Sequence, residues 1–174
     1  HRACETLVTG SSNTAIGYGA LDEVSGAAVS NVAVGHNAMG GDSDSNTSSS
    51  YNVAVGHNSM AAVMNDADYN TAVGYLAGND ITTADSTVAI GALALEKCTE
   101  GNFNVAVGYR AGDAITTGDD NIFMGTDAGG SSQDVDLATI IGHGAGNGVL
   151  DDGADGVVLV GAAAGAAITS GAGN

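Results

Sequence analysis

A short motif returns nine times along this chain, and each copy is built around one glycine. The copies read NTAIGYGAL from Asn13, NVAVGHNAM from Asn31, NVAVGHNSM from Asn52, NTAVGYLAG from Asn70 and TVAIGALAL from Thr87. They continue as NVAVGYRAG from Asn104, NIFMGTDAG from Asn121, ATIIGHGAG from Ala138 and VVLVGAAAG from Val157. The anchors are Gly17, Gly35, Gly56, Gly74, Gly91, Gly108, Gly125, Gly142 and Gly161, spaced 18, 21, 18, 17, 17, 17, 17 and 19 residues apart. A period of this length, held nine times, restricts the chain to a solenoid whose coils stack on one another. The widest interval holds the polar insert Gly40-Gly41-Asp42-Ser43-Asp44-Ser45-Asn46, which suits an outer loop.

Each position of the motif has a physical role, counted here from the anchor glycine. Position −3 is always Thr, Val or Ile, and position −1 is Ile, Val or Met. Side chains alternate along a strand, so these two share a face, which is expected to be the buried one. Position −2 is Ala in six copies and then Phe123, Ile140 and Leu159. Position +3 is Ala everywhere except Ser59. These small positions are expected to let chains approach one another closely around a common axis. The glycine either takes a positive φ or admits a neighbouring backbone. Asn13, Asn31, Asn52, Asn70, Asn104 and Asn121 open six copies. They are expected to form an amide ladder from coil to coil.

The stretches Asn79-Asp80-Ile81-Thr82-Thr83 and Asp113-Ala114-Ile115-Thr116-Thr117 are close copies of each other, with a third at Ala166-Ala167-Ile168-Thr169. They read as a second short strand with Ile turned inward. The fold class is thus all-β: a parallel β-solenoid of nine coils of 17 to 21 residues over positions 13–174, after a lead-in of residues 1–12. The next opening Asn falls on Asn174, so the array is expected to run on beyond it. The chain begins with His1, and a leader or a preceding domain is expected upstream. A coil with about three inward aliphatics, such as Val105, Val107 and Ile115, has a thin core. Support from a partner chain is therefore expected.

Twenty acidic residues against three basic ones give a net charge of −17. That excludes phosphate-backbone binding and attachment to anionic lipid, both of which need Lys and Arg. No run of 18 apolar residues exists to span a membrane. Cys4 and Cys98 lie about five coils apart, too far for a bond within one chain.

The NTAIGYGAL and NVAVGHNAM copies resemble the NTAIGxxAL repeats of phage tail and collar fibres and of bacterial surface proteins. Less closely they resemble the SVAIGxxA repeats of trimeric autotransporter heads of the YadA type. The resemblance covers residues 13–174. It implies a left-handed parallel β-roll, assembled as a parallel homotrimer in an extracellular fibre on a virion or a bacterial surface. Its partners would be its own copies and a host or cell-surface glycan or protein. The polar loops Gly40–Tyr51, Ala61–Tyr69 and Asp134–Leu137 would be the contact sites. Deleting Gly41–Ser50 is expected to leave the fold intact.

No catalytic, cofactor-binding or metal-binding residue is assigned. His36 and His57 share position +1 with Tyr18 and Tyr75. A stacked ladder is expected there rather than a metal site, because no Cys or carboxylate shares the spacing. The acidic turn Asp42–Asn46 resembles the start of a calcium loop but lacks its glycine and closing Glu, Asp151–Gly156 is another acidic turn, and both read as solvated turns. No nucleophile elbow or phosphate loop occurs. Tailspike-like glycosidase chemistry would need two poised carboxylates and sugar-stacking rings, and Trp is absent. The chain is expected not to be an enzyme. The alternative reading is a single-chain solenoid that binds ice or is stabilised by calcium, since Thr82-Thr83 and Thr116-Thr117 hint at a Thr rank. That rank is broken at Cys98-Thr99, Ser131-Ser132 and Leu150-Asp151.

Overall fold

The computed structural model describes residues 3–4, 9–22, 27–41, 48–148, 150 and 154–168. Each copy of the motif forms one three-residue strand at positions −3 to −1. The strands are β1 (Thr14–Ile16), β2 (Val32–Val34), β3 (Val53–Val55), β4 (Thr71–Val73) and β5 (Val88–Ile90). Then follow β6 (Val105–Val107), β7 (Ile122–Met124), β8 (Thr139–Ile141) and β9 (Val158–Val160). They form one nine-stranded parallel sheet in sequence order. Every residue pairs with its own counterpart in the next copy, as in Ala72↔Ala89↔Ala106. The repeat thus sets the register directly, and the protein is a parallel β-solenoid. The lead-in joins it through a parallel bridge between Ser11 and Val29 and a Cys4 N–H donated to the Ala20 carbonyl.

The strand faces are the reverse of the expectation. The residue at −2 points inward: Ala33, Ala54, Ala72, Ala89, Ala106, Phe123 and Ile140 are wholly buried. The residues at −3 and −1 point outward, and none of the eighteen is buried. Val105 and Val107 therefore lie outside, and of the three aliphatics expected inside that coil only Ile115 is there. The small residues at −2 and +3 fill the interior of their own coil and leave no close approach for another chain. The physical reason is the width of the coil. A turn of 17 residues with one short strand encloses too little space for two branched side chains per strand.

The interior volume is instead traded between two positions. Where −2 is Ala, +4 is commonly large, as in Leu21, Met39, Met60 and Leu95, all essentially buried. Where −2 is large, +4 is Gly. A Cβ on Gly146 would meet Ile140 Cδ1 at 2.9 Å, one on Gly165 would meet Leu159 Cδ2 at 2.6 Å, and one on Gly129 would collide with the Phe123 ring. Where both are small, neighbours fill the gap: Ile81 below Gly78, and Phe123 with Leu95 below Gly112. The interior is thus filled by exchange of volume within and between coils.

Among the described residues the remainder of each coil is mostly turn, bend and irregular chain, and the expected second strand does not form. Its residues point as expected, with Ile81, Cys98 and Ile115 stacked inside. This wall is held by irregular coil-to-coil bonds, among them Thr82 N–H to Thr99 O and Thr99 N–H to Thr116 O. The anchor glycines have φ between 128° and 143°. A Cβ on Gly91 would lie 2.7 Å from the Gly108 carbonyl carbon of the next coil. Backbone geometry and the stacked neighbour each exclude a side chain there.

Candidate interaction face

The outward strand residues form two aliphatic columns. Position −3 reads Thr14, Val32, Val53, Thr71, Val88, Val105, Ile122, Thr139, Val158, and −1 reads Ile16, Val34, Val55, Val73, Ile90, Val107, Met124, Ile141, Val160. Ile16 is 61% exposed, Ile90 40%, Met124 41% and Val160 66%. Aromatic columns border the strands in sequence. Beyond the glycine, at +1, Tyr18, Tyr75 and Tyr109 are exposed; before the opening Asn, at −5, so are Tyr51, Tyr69 and Phe103. Not one charged residue occurs at −3, −1 or +1 in any copy, although the chain carries a net −17.

The rings line up along the axis, all stacked except the His57–Tyr75 pair, which is tilted by 34°. Tyr18 to His36 is 5.3 Å, His36 to His57 is 4.9 Å with 8° between planes, and His57 to Tyr75 is 5.6 Å. Tyr51 and Tyr69 stack at 5.0 Å. The expected Tyr-His-His-Tyr ladder is present. Among the described residues no group of three or more His, Cys, Asp or Glu side chains could hold a metal ion.

The Asn ladder lies inside and is bonded mostly to main chain. Asn31, Asn52, Asn70, Asn104 and Asn121 are fully buried. Each Oδ1 accepts the main-chain N–H of the next copy: Asn31 from Asn52 at 2.9 Å, Asn52 from Asn70 at 2.8 Å, and Asn104 from Asn121 at 3.0 Å. Each Nδ2 donates across the coil: Asn52 to Ala67 O, Asn70 to Ala84 O, Asn104 to Gly118 O. The ladder therefore ties strand wall to turn wall as well as coil to coil. Thr87 ends one run by donating to Asn70 Oδ1, and Ala138 N–H caps the other on Asn121.

A second ladder went unread in the sequence. At −6, Ser50 N–H donates to Asp68 Oδ1, Asp68 to Asp85, Asp85 to Asn102, Asn102 to Asp119, Asp119 to Asp136, and Asp136 to Asp155, at 2.6–3.0 Å. These Asp and Asn side chains thus knit successive coils. They are partly buried, and the only signal for them was an Asx recurring six residues before the glycine.

The loop Gly40–Tyr51 is not purely peripheral, as was expected. Ser49 and Ser50 are buried; Val29 N–H donates to Ser50 Oγ, Ala67 N–H to Ser49 Oγ, and Asn31 Nδ2 to Ser49 O. Deleting Gly41–Ser50 would remove these bonds. Residues 42–47, and 151–153 of the other acidic turn, lie outside the described residues. In loop Ala61–Tyr69, Ala67 is buried and Tyr69 exposed; in Asp134–Leu137, Val135 is buried and Leu137 exposed. The Thr rank is engaged rather than free, since Thr82, Thr99 and Thr116 hydroxyls donate to carbonyls of the next coil.

Both cysteines are free thiols. Burial pushes Cys98 from the ordinary 9.0 up to about 12, opposed in part by the Gly101 main chain and reinforced by the charge of Asp119. Such a thiol is a filler of the apolar column and a poor nucleophile. Among the described residues no helix is long and apolar enough to cross a membrane. Comparison with family models, curated proteins and solved structures finds no match.

Proposed function

We propose that this chain is a structural and adhesive segment of an extracellular fibre, and that its outer sheet face packs against copies of itself in a parallel homotrimer. The observation that supports this most is the continuous aliphatic face of −3 and −1, free of charge in a chain of net charge −17. Large exposed apolar faces mark interaction sites. Acids held at the edges and turns let like chains bring these faces together without opposing their charges. The coil interior, built of Ala, Gly and one or two larger groups, gains from cover on the other side of the strand. Parallel association also matches the axial repeat of one chain to that of the next. The resemblance to phage-fibre and surface-adhesin repeats supplies the trimer and the setting, a virion or bacterial surface. In that setting the exposed loops would meet a host or cell-surface glycan or protein, and the segment would act by extension and contact rather than by catalysis.

The solution mass tests the reading. A β-rich species near three times the 16.8 kDa chain mass is expected by light scattering with circular dichroism. A β-rich species at the mass of one chain would overturn it.

A further inference from the structure

Position +5 falls in a turn column apart from the strands. In three consecutive coils it reads Asp113, Gly130, Asn147. The glycine leaves a hole between its neighbours. A Cβ at Gly130 would lie 3.2 Å from Asp113 Oδ1, 3.4 Å from Asn147 Oδ1 and 3.5 Å from the Asp127 main-chain oxygen, its three nearest atoms. All three are oxygens, from a carboxylate, an amide and a carbonyl. Asp113 is only 5% exposed, and its Oδ1 is buried with no hydrogen-bond partner. Its other oxygen accepts from Arg110 Nε at 2.7 Å, which fixes the carboxylate plane. Arg110 Nε also stands 3.8 Å from Asp127 Oδ1.

A buried carboxylate oxygen without a partner is costly and calls for an occupant. We propose that Asp113, Asn147 and the Asp127 carbonyl bind one calcium-type divalent cation in the cradle left by Gly130. Three oxygens as the nearest atoms favour a cation over an anion or an apolar group. The two carboxylates outweigh the one guanidinium, and the net charge of −17 draws cations to the surface. Calcium accepts six to eight oxygens at about 2.3–2.6 Å in irregular arrangements, with water completing the shell, whereas magnesium demands a near-ideal octahedron. Each oxygen would move inward by about 1 Å to reach that range. Asn147 is exposed and free to do so, and it leaves the outer side open to water. The site is independent of self-association.

The test is calorimetric titration of the chelator-treated chain with calcium chloride, with magnesium chloride as control. One calcium site per chain is expected, in the range of about 0.1–1 mM usual for extracellular modules. Asn147→Ala and Gly130→Ala should each weaken it at least tenfold. Asn147 is exposed and Gly130 lies outside the left-handed region of φ, so both variants keep the fold, as circular dichroism would verify. Binding to other acidic turns would persist in both variants. Magnesium binding as tight as calcium, no site in the native chain, or native titration in both variants would overturn the assignment. The Asp113 oxygen would then be met by water or by a turned Asn147 amide.

Discussion

Buried side chains that serve the backbone carry much of the stability of this chain. Asn52 shows the arithmetic. Its Oδ1 accepts the Asn70 N–H and its Nδ2 donates to Ala67 O, each at 2.8 Å. Asn52→Ala strands both partners inside the coil, at a cost of roughly 2–4 kcal/mol, measurable by urea denaturation. Cys98 gives a pH dependence of known sign. The folded thiol keeps its proton to about 12, while the unfolded one releases it near 9.0. Its contribution is therefore full below about pH 9 and is lost as pH rises from 9 towards 12. The melting temperature of the native chain should fall more steeply over that window than that of Cys98→Val. The Asn ladder was legible because its residue stands at a constant offset from the glycine. The Asp68–Asp155 ladder was not, because Asp in a turn has a sufficient local explanation. Only the three-dimensional register brings each carboxylate to the next coil's N–H.

At the scale of the strand, the repeat announced the parallel sheet and its register but not which face is inside. Val-Ala-Val alternates equally well either way up. The assumption that branched residues are buried and Ala lies at a chain contact placed them wrongly. The missed signal was the pairing of −2 with +4. Phe123 with Gly129, Ile140 with Gly146 and Leu159 with Gly165 stand opposite Ala54 with Met60 and Ala89 with Leu95. Two positions that exchange volume must share one cavity. Three such pairs late in the chain put −2 inside. The exchange can be run backwards. Phe123→Ala leaves a cavity and should cost about 3–5 kcal/mol. Gly129→Met alone should destabilise as severely, because its side chain enters the Phe123 ring. The double variant recreates the Ala54–Met60 arrangement, and Met60 itself sits at a positive φ of 48°, so the backbone accepts it. Its thermal stability should exceed that of either single variant. Additive losses would show that the two positions do not share a space.

For the molecule as a whole, the inversion of the faces moves the proposed self-association to the opposite side of the strands. The outward surface of the sheet is aliphatic over all nine strands, edged by Tyr and His on one side and by Tyr, Phe and Leu on the other. Apart from Asp120 in the −5 edge column, the acids stand away from this surface, and some are engaged in the −6 ladder. Self-association was expected from a thin core; the structure supplies a face for it, though one opposite to the face first assigned. Ile90 and Val107 sit at −1 in adjacent coils, on the outward face of the sheet, Ile90 exposed and Val107 half-buried. The most direct measurement is the light-scattering mass of the double variant Ile90→Asp, Val107→Asp beside that of the native chain. The account predicts a native mass near three chains and a variant of lower mass, with the β-sheet circular dichroism kept. A variant that holds the native trimer mass, or a native chain that is already a folded monomer, would contradict it.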